Sequence, residues 1–194
     1  QVGAISAALI VGSGFSSPKQ FSLSTADIQE ALGARYETEH FIIYYSASGD
    51  WGQRIERIAE DHEFRYWQLK KWFNEDPVAH NHKKLISYIY PNREEKGRLM
   101  GARNTLVAKL WLGDMHIVYE RYGSAIVKHE MAHLFTAPFG TGLLKLATPG
   151  LLIPNMGLVE GVAAAAEWGI EGGYSPHGAS AALQRLELAP DMTR

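Results

Sequence analysis

The chain has 194 residues, of which 46% are hydrophobic and 21% are charged, as in a globular domain with a hydrophobic core. Its formal net charge of -2 argues against a surface built to bind nucleic acid or an anionic membrane. The chain contains no cysteine, which excludes disulfide bonds and thiolate metal ligands. Any metal site must therefore use His, Asp or Glu.

We expect a single domain over residues 1–194, with residues 1–20 flexible, and we interpret the chain as a fragment or a processed product. Residues 2–14 are uncharged and apolar but too few to span a bilayer. They are either the stub of a removed export or anchor segment or a frayed terminus. The sequence does not fix the compartment, and the first interpretation favours an extracytoplasmic location.

The amino-terminal half contains signals for two helices and two strands. Ser24 and Asp27 predict a capped helix start, and Gly33 predicts its end. Residues 36–46 predict a strand because residues 41–45 are aromatic and β-branched. A long amphipathic helix is predicted behind Asp50, followed by a strand over residues 84–90 and a charged, solvated loop over residues 92–98.

The carboxy-terminal half is predicted to be mainly helical. Residues 106–112 and 115–119 are strand candidates separated by a tight turn. A helix opens at Gly123 and Ser124 and ends near Pro138, and a packed loop over residues 139–154 leads to helices near 156–168 and 178–188. A small sheet followed by an active-site helix and a helical carboxy-terminal part predicts an α+β fold.

The most informative motif is His129-Glu130-Met131-Ala132-His133, an H-E-x-x-H. Two histidines four residues apart lie on one face of a helix, so their imidazoles can bind one metal ion. Glu130 then lies beside that metal, where it can accept a proton from a water molecule. The alternative is a solvated helix face with two surface histidines.

Glu160 is the candidate third metal ligand, because it stands in an otherwise apolar helical segment. A carboxylate on such a face is costly unless it is paired or binds a metal. Gly161 and the alanines that follow are predicted to let this helix approach the motif helix closely. The alternative for Glu160 is an exposed acid on a surface helix.

An H-E-x-x-H followed some tens of residues later by a helical glutamate resembles the gluzincin metallopeptidases. The Leu-Val-Glu-Gly-Val-Ala run at residues 158–163 is similar to the Glu-Gly-x-Ala signature of peptidase-MA-like domains, and the resemblance covers roughly residues 36–170. It implies a zincin-like fold, Zn²⁺ on His129, His133 and Glu160, and Glu130 as general base. The metzincin variant is disfavoured, since no Gly-x-x-His continues the motif after His133.

The resemblance also implies a Tyr or His that stabilises the oxyanion formed during attack. Tyr174 and His177 are candidates because they follow the third-ligand helix, and Tyr119 and His116 are two others. Glu167 lies two helical turns after Glu160, where it can orient a metal-binding imidazole or form a plain salt bridge.

The related fold also implies an edge strand, just before the motif helix, that binds the substrate backbone. The strand candidate over residues 115–119 is predicted to have this role, or to be an ordinary structural strand. Its residues are Met115, His116, Ile117, Val118 and Tyr119.

We therefore predict a zinc-dependent peptidase with a peptide or protein substrate and no nucleic-acid partner. No cluster for holding a free amino terminus stands out, which favours an endopeptidase. The alternatives are a zinc-binding recognition domain without turnover and a zinc hydrolase of a non-peptide amide. The apolar residues 143–153 are candidates for a pocket wall, a lid or a partner surface, and they leave membrane association open.

Overall fold

In the computed structural model, a mixed five-stranded sheet is combined with helices on both of its faces, which confirms the predicted α+β class. The residues that the structure describes are 23–105, 107–140, 156–167 and 176–188. The strands are β1 (Gly33–Glu37), β2 (Phe41–Ser46), β3 (Leu85–Tyr90), β4 (Val107–Lys109) and β5 (Asp114–Val118). The helices are α1 (Thr25–Leu32), α2 (Trp51–Phe73), α3 (Pro77–Asn81), α4 (Arg93–Met100), α5 (Ala125–Thr136), α6 (Met156–Glu167) and α7 (Pro176–Arg185).

The strand order is β1-β2-β3-β5-β4. The three central strands β2, β3 and β5 are parallel, whereas β1 and β4 pair antiparallel at the two edges. Parallel central strands are buried on both faces, which accounts for the continuous apolar character of β2 and β3. The sheet therefore needs a helical layer on each side.

The long strand predicted over residues 36–46 is wrong, because this region contains two antiparallel strands. Residues 38–40 reverse the chain between β1 and β2, and the Thr38 amide donates to the Phe41 carbonyl at 3.0 Å. The helix start before β1 is confirmed, since the Ser24 side chain accepts from the Asp27 amide in a capping box. Gly33 ends that helix with a φ of 78°, a conformation that favours glycine.

The solvated loop predicted over residues 92–98 is also wrong, because residues 93–98 belong to α4. The Asn92 side chain caps this helix by accepting from the Glu95 amide at 2.8 Å, and Leu99 is fully buried. Most charged side chains of α4 point outward, and their number in the sequence made this segment look like a solvated loop. The strand predicted over residues 106–112 shortens to β4 in the described residues, because residues 110–113 form a turn.

Two hydrophobic clusters lie on opposite faces of the sheet, because alternate residues of a strand point to opposite sides. On one face, Ile89 and Met115 pack against α2, α5 and α6. On the other face, Tyr88 and Tyr90 pack against α1 and α4. The motif helix α5 thus belongs to the main core. Within the described residues, no helix has both the length and the apolar character required to cross a bilayer.

Candidate metal centre

Helix α5 buries three side chains that can bind a metal ion. His129, Glu130 and His133 are 6%, 3% and 5% exposed, and their potential ligand atoms lie within 4.8 Å of one another. The two imidazole rings, one helical turn apart, have centroids separated by 5.0 Å at an angle of 81°. A buried His-Glu-His group with this spacing can hold a metal ion.

A second carboxylate approaches the same imidazoles from α6. Glu160 Oε2 lies 3.4 Å from His129 Nε2 and 3.8 Å from His133 Nε2. The first contact is an ion pair rather than a well-aligned hydrogen bond, and His129 Nε2 has no hydrogen-bond partner among the described residues. Both imidazoles thus present a ring nitrogen to one carboxylate oxygen.

Small side chains allow α6 to pack closely on α5. Ala163 and Ala166 are buried in the main core with Met131 and Ala132 of α5. The close approach predicted at Gly161 is not found among the described residues, because a Cβ there would meet none of their atoms within 4 Å. The alanines, rather than the glycine, bring Glu160 to the histidines.

Glu167, at the end of α6, binds the other nitrogen of His129. The distance from His129 Nδ1 to Glu167 Oε2 is 3.0 Å, a hydrogen bond in which Nδ1–H donates. This bond favours the tautomer that leaves the Nε2 lone pair available. The structure therefore brings together His129, Glu130, His133, Glu160 and Glu167.

Three carboxylates around two buried imidazoles create a strongly negative environment. Burial lowers the pKa of His129, but the Glu160 and Glu167 carboxylates outweigh burial and raise it to about 10. Conversely, the His129 imidazole lowers the pKa of Glu160. The site thus attracts positive charge, whether a proton on His129 or a metal cation in its place.

Glu130 and His133 are shifted mainly by burial. Burial raises the pKa of Glu130 to about 7, although the neighbouring His129 opposes this shift. Burial also lowers the pKa of His133, which favours the neutral imidazole that metal binding requires. Near neutral pH, Glu130 can therefore both accept and release a proton.

Lys96 of α4 carries a buried charge, which the loop predicted over residues 92–98 did not suggest. It is 1% exposed, its Nζ donates to the Thr105 carbonyl, and burial lowers its pKa to about 8. Its charge lowers the proton affinity of Glu130 and thus limits the upward shift. The Asn92 cap signal was the sequence feature that could have placed Lys96 on a helix.

Of the four predicted oxyanion donors, the two whose side chains the structure describes have hydrogen-bond partners elsewhere. The Tyr119 hydroxyl is buried and donates to Asp61 at 3.0 Å, and His116 lies on the opposite face of the sheet, beside Tyr90 at 2.9 Å. Tyr174 lies outside the described residues, as does the apolar segment 143–153. His177 falls in the first turn of α7, and its side chain also lies outside the description.

The assignment of residues 115–119 as an edge strand is wrong. Strand β5 pairs with β3 on one side and with β4 on the other, so it lies inside the sheet. Among the described strands, β4 is the edge on this side, and it lies against α5. The sequence predicted both β4 and β5 as strands. It did not show that β5 also pairs with β3, which leaves β4 at the edge of the sheet.

No model of a known protein family, no curated protein and no solved structure matches this chain. Function is therefore inferred from the chemistry and geometry of the residues themselves.

Proposed function

We propose that this chain is a zinc-dependent peptidase domain of the gluzincin type. The observation that carries the proposal is the convergence of His129 Nε2 and His133 Nε2 on Glu160 Oε2, at 3.4 and 3.8 Å. Catalytic zinc sites use three protein ligands and keep one position open. Two imidazoles and one carboxylate meet that requirement in a chain without cysteine.

The roles of the two nearby carboxylates follow from their environments. Glu160 is about one-quarter exposed and has a lowered pKa, as suits an ionised metal ligand. Glu130 is buried with a pKa raised to about 7, as suits a group that takes up and releases protons near neutrality. We therefore assign Glu160 as the third ligand and Glu130 as the general base.

When bound, zinc supplies a Lewis acid that activates water and polarises a carbonyl group near neutral pH. Glu130 accepts a proton from the attacking water and donates it to the leaving amine. Glu167 holds the His129 imidazole in the orientation that presents Nε2. These side chains together supply the proton transfers that hydrolysis of an amide bond requires.

The edge strand β4 is the surface on which we propose that the substrate backbone binds. It pairs with β5 on one side only among the described strands, and it lies against α5. An extended peptide can add to such an edge through main-chain hydrogen bonds. A backbone bound there would lie along β4, which packs on the helix that carries Glu130, and this favours a peptide over a non-peptide amide.

The test combines metal analysis with cleavage of a peptide library. We expect one zinc ion per chain and cleavage that Glu130→Gln reduces by about a hundredfold or more, while the variant retains its zinc. His133→Ala should lose both zinc and cleavage, and Glu56→Gln, an exposed acid on α2, serves as the matched control. Full zinc occupancy without cleavage of any peptide would instead favour a recognition domain, and cleavage of non-peptide amides alone would favour a different hydrolase.

A further inference from the structure

A cavity of about 580 Å³ lies beside the carboxy-terminal half of α2. Glu39 and His40, which precede β2, line one part of it, and residues of α2 and its carboxy-terminal end line the rest. None of the five residues of the metal centre contributes to its lining. The volume is in the range of small-molecule sites, so the cavity is a candidate site separate from the metal centre.

The wall formed by His40 and Tyr66 is held in place by several contacts. Their rings stack with centroids 4.0 Å apart. The His40 amide and Nδ1 both contact the Glu63 carboxylate, at 2.9 and 2.6 Å, and the buried Tyr66 hydroxyl donates to Asp76 at 2.6 Å. These contacts fix one side of the cavity before a ligand binds, which reduces the entropy lost on binding.

Trp67 supplies a large apolar surface to the cavity. It is 56% exposed, although its ring lies nearly parallel to that of Phe64, with centroids 6.2 Å apart and an angle of 16°. The Lys71 Nζ lies 5.8 Å from the indole centroid. These neighbours on the same helix restrict the orientation of the indole, and its exposed surface is available for stacking against a ligand.

The charges that line the cavity balance one another. Glu39 and Glu63 supply two carboxylates, and Lys70 and Lys71 supply two ammonium groups, of which Lys70 is already paired with Asp76. A strongly charged ligand would therefore meet repulsion as well as attraction. A wholly apolar ligand would remove these groups from water without giving them hydrogen bonds.

We propose that this cavity binds a neutral saccharide. A pyranose ring presents an apolar face of C–H groups, which can stack on the Trp67 indole. Its hydroxyl groups can donate to the Glu39 carboxylate and accept from the Lys71 ammonium group, both of which are exposed at the cavity. A neutral ligand with an apolar face and a hydroxylated edge thus matches the aromatic wall, the polar groups and the balanced charge.

Nuclear magnetic resonance tests this site on the wild-type protein, independently of peptide cleavage. The chain has five tryptophans, so a proton–nitrogen correlation spectrum contains five indole N–H signals. Trp67→Phe and Trp111→Phe identify the signals of these two residues. Cellotriose, maltotriose, mannotriose and chitotriose are each titrated to about 10 mM, which detects binding with millimolar dissociation constants. We expect at least one of them to shift the Trp67 signal and to leave the Trp111 signal unchanged.

Variants then measure what each side chain contributes to the affinity. Trp67→Ala should weaken binding of the responding trisaccharide by about tenfold, because the sugar ring loses its stacking surface. Glu39→Ala should weaken it by about threefold, and Glu39→Gln should have a smaller effect because its amide oxygen still accepts a hydrogen bond. Trp111→Ala is the matched control, since it changes an exposed tryptophan in the turn after β4. Circular dichroism checks that all variants fold.

Two further measurements distinguish a neutral saccharide from a charged ligand. Raising the sodium chloride concentration to about 0.5 M should change the dissociation constant of the trisaccharide by less than about twofold, because salt screens only interactions between charges. Glycylglycine provides a zwitterionic probe for the same cavity. A response of the Trp67 signal to glycylglycine alone, no response to any of the trisaccharides, or equal effects of Trp67→Ala and Trp111→Ala would overturn the saccharide site.

Discussion

His129 Nδ1 lies 3.0 Å from Glu167 Oε2, and this bond determines which nitrogen of His129 is available to a metal. Because Nδ1 donates its proton to Glu167, Nε2 is the nitrogen that faces Glu160, and it would give up its own proton to bind a metal. An ion at that point would find the imidazole already oriented and in the correct tautomer. The final turn of α6 thus prepares a ligand that belongs to α5.

Glu167→Ala should weaken zinc binding by about 10- to 100-fold, because His129 loses the acceptor that fixes its tautomer. Glu167→Gln should have a smaller effect, since its amide oxygen can still accept from Nδ1–H. Competition with a chromophoric chelator measures the dissociation constants. Glu60→Gln, an exposed acid on α2, is the control, and equal zinc affinity in wild type and Glu167→Ala would contradict the assigned role.

Zinc should stabilise the folded protein, because the folded state brings Glu160 and the two histidines together. At a free zinc concentration one hundred times the dissociation constant, the free energy of unfolding should increase by about 2.7 kcal/mol. Chemical denaturation with zinc and with a chelator measures this difference. His129→Ala should abolish most of the increase, whereas an undiminished increase in that variant would place the metal elsewhere.

Stability should fall as the pH decreases below about 6.5, because His62 is buried as a neutral imidazole. Burial lowers its pKa, and its ring nitrogens contact the Ile58 carbonyl at 2.7 Å and the Ser87 hydroxyl at 3.0 Å. Below pH 6.5 the unfolded chain binds a proton that folded His62 does not, so the free energy of unfolding decreases by up to about 1.4 kcal/mol per pH unit.

Urea denaturation between pH 7.5 and 5, with a chelator present, tests this dependence on pH. His62→Gln should show a shallower slope than wild type. Part of the slope remains because burial also lowers the pKa of His116 and His133, whereas the raised pKa of Glu130 acts in the opposite direction. His80→Gln changes an exposed histidine and serves as the control. Identical slopes for wild type and His62→Gln would show that His62 is not the group responsible.

Asp76→Ala should destabilise the fold by about 2 kcal/mol, because Asp76 caps a helix and accepts from a buried hydroxyl, besides forming an ion pair with Lys70. Its Oδ1 caps α3 by accepting from the Ala79 amide at 2.9 Å, and it also accepts from the buried Tyr66 hydroxyl at 2.6 Å. Asp50→Ala is the matched control. Asp50 precedes α2 but makes no side-chain cap bond and forms only an exposed ion pair with Arg54.

Urea denaturation measures both aspartate variants. The Asp50 variant should lose less than about 0.5 kcal/mol, as is usual for an exposed ion pair. Similar losses for the two variants would mean that the buried contact with Tyr66 does not contribute as expected.

Local signals in the sequence determined the helices well. The capping box at Ser24, the apolar stripe of α2 and the signals at Ser124 and Pro138 depend on neighbouring residues, and each lies within one element. Where the local signal was mixed, prediction failed. The many charged residues of α4 made it look like a loop, although one of its faces buries Leu99. Strand β1 has few apolar residues, so the sequence did not indicate that it is a strand separate from β2.

The sequence by itself determined the two histidines and the glutamate of the motif, because their positions depend only on helical periodicity within α5. It also nominated Glu160 and Glu167, but only the packing of α6 on α5 decided that both reach His129. Sheet order likewise required the tertiary structure, which places β3 beside β5 and leaves β4 at the edge. Spacing along one element is a local property, whereas contacts between elements depend on how the whole core packs.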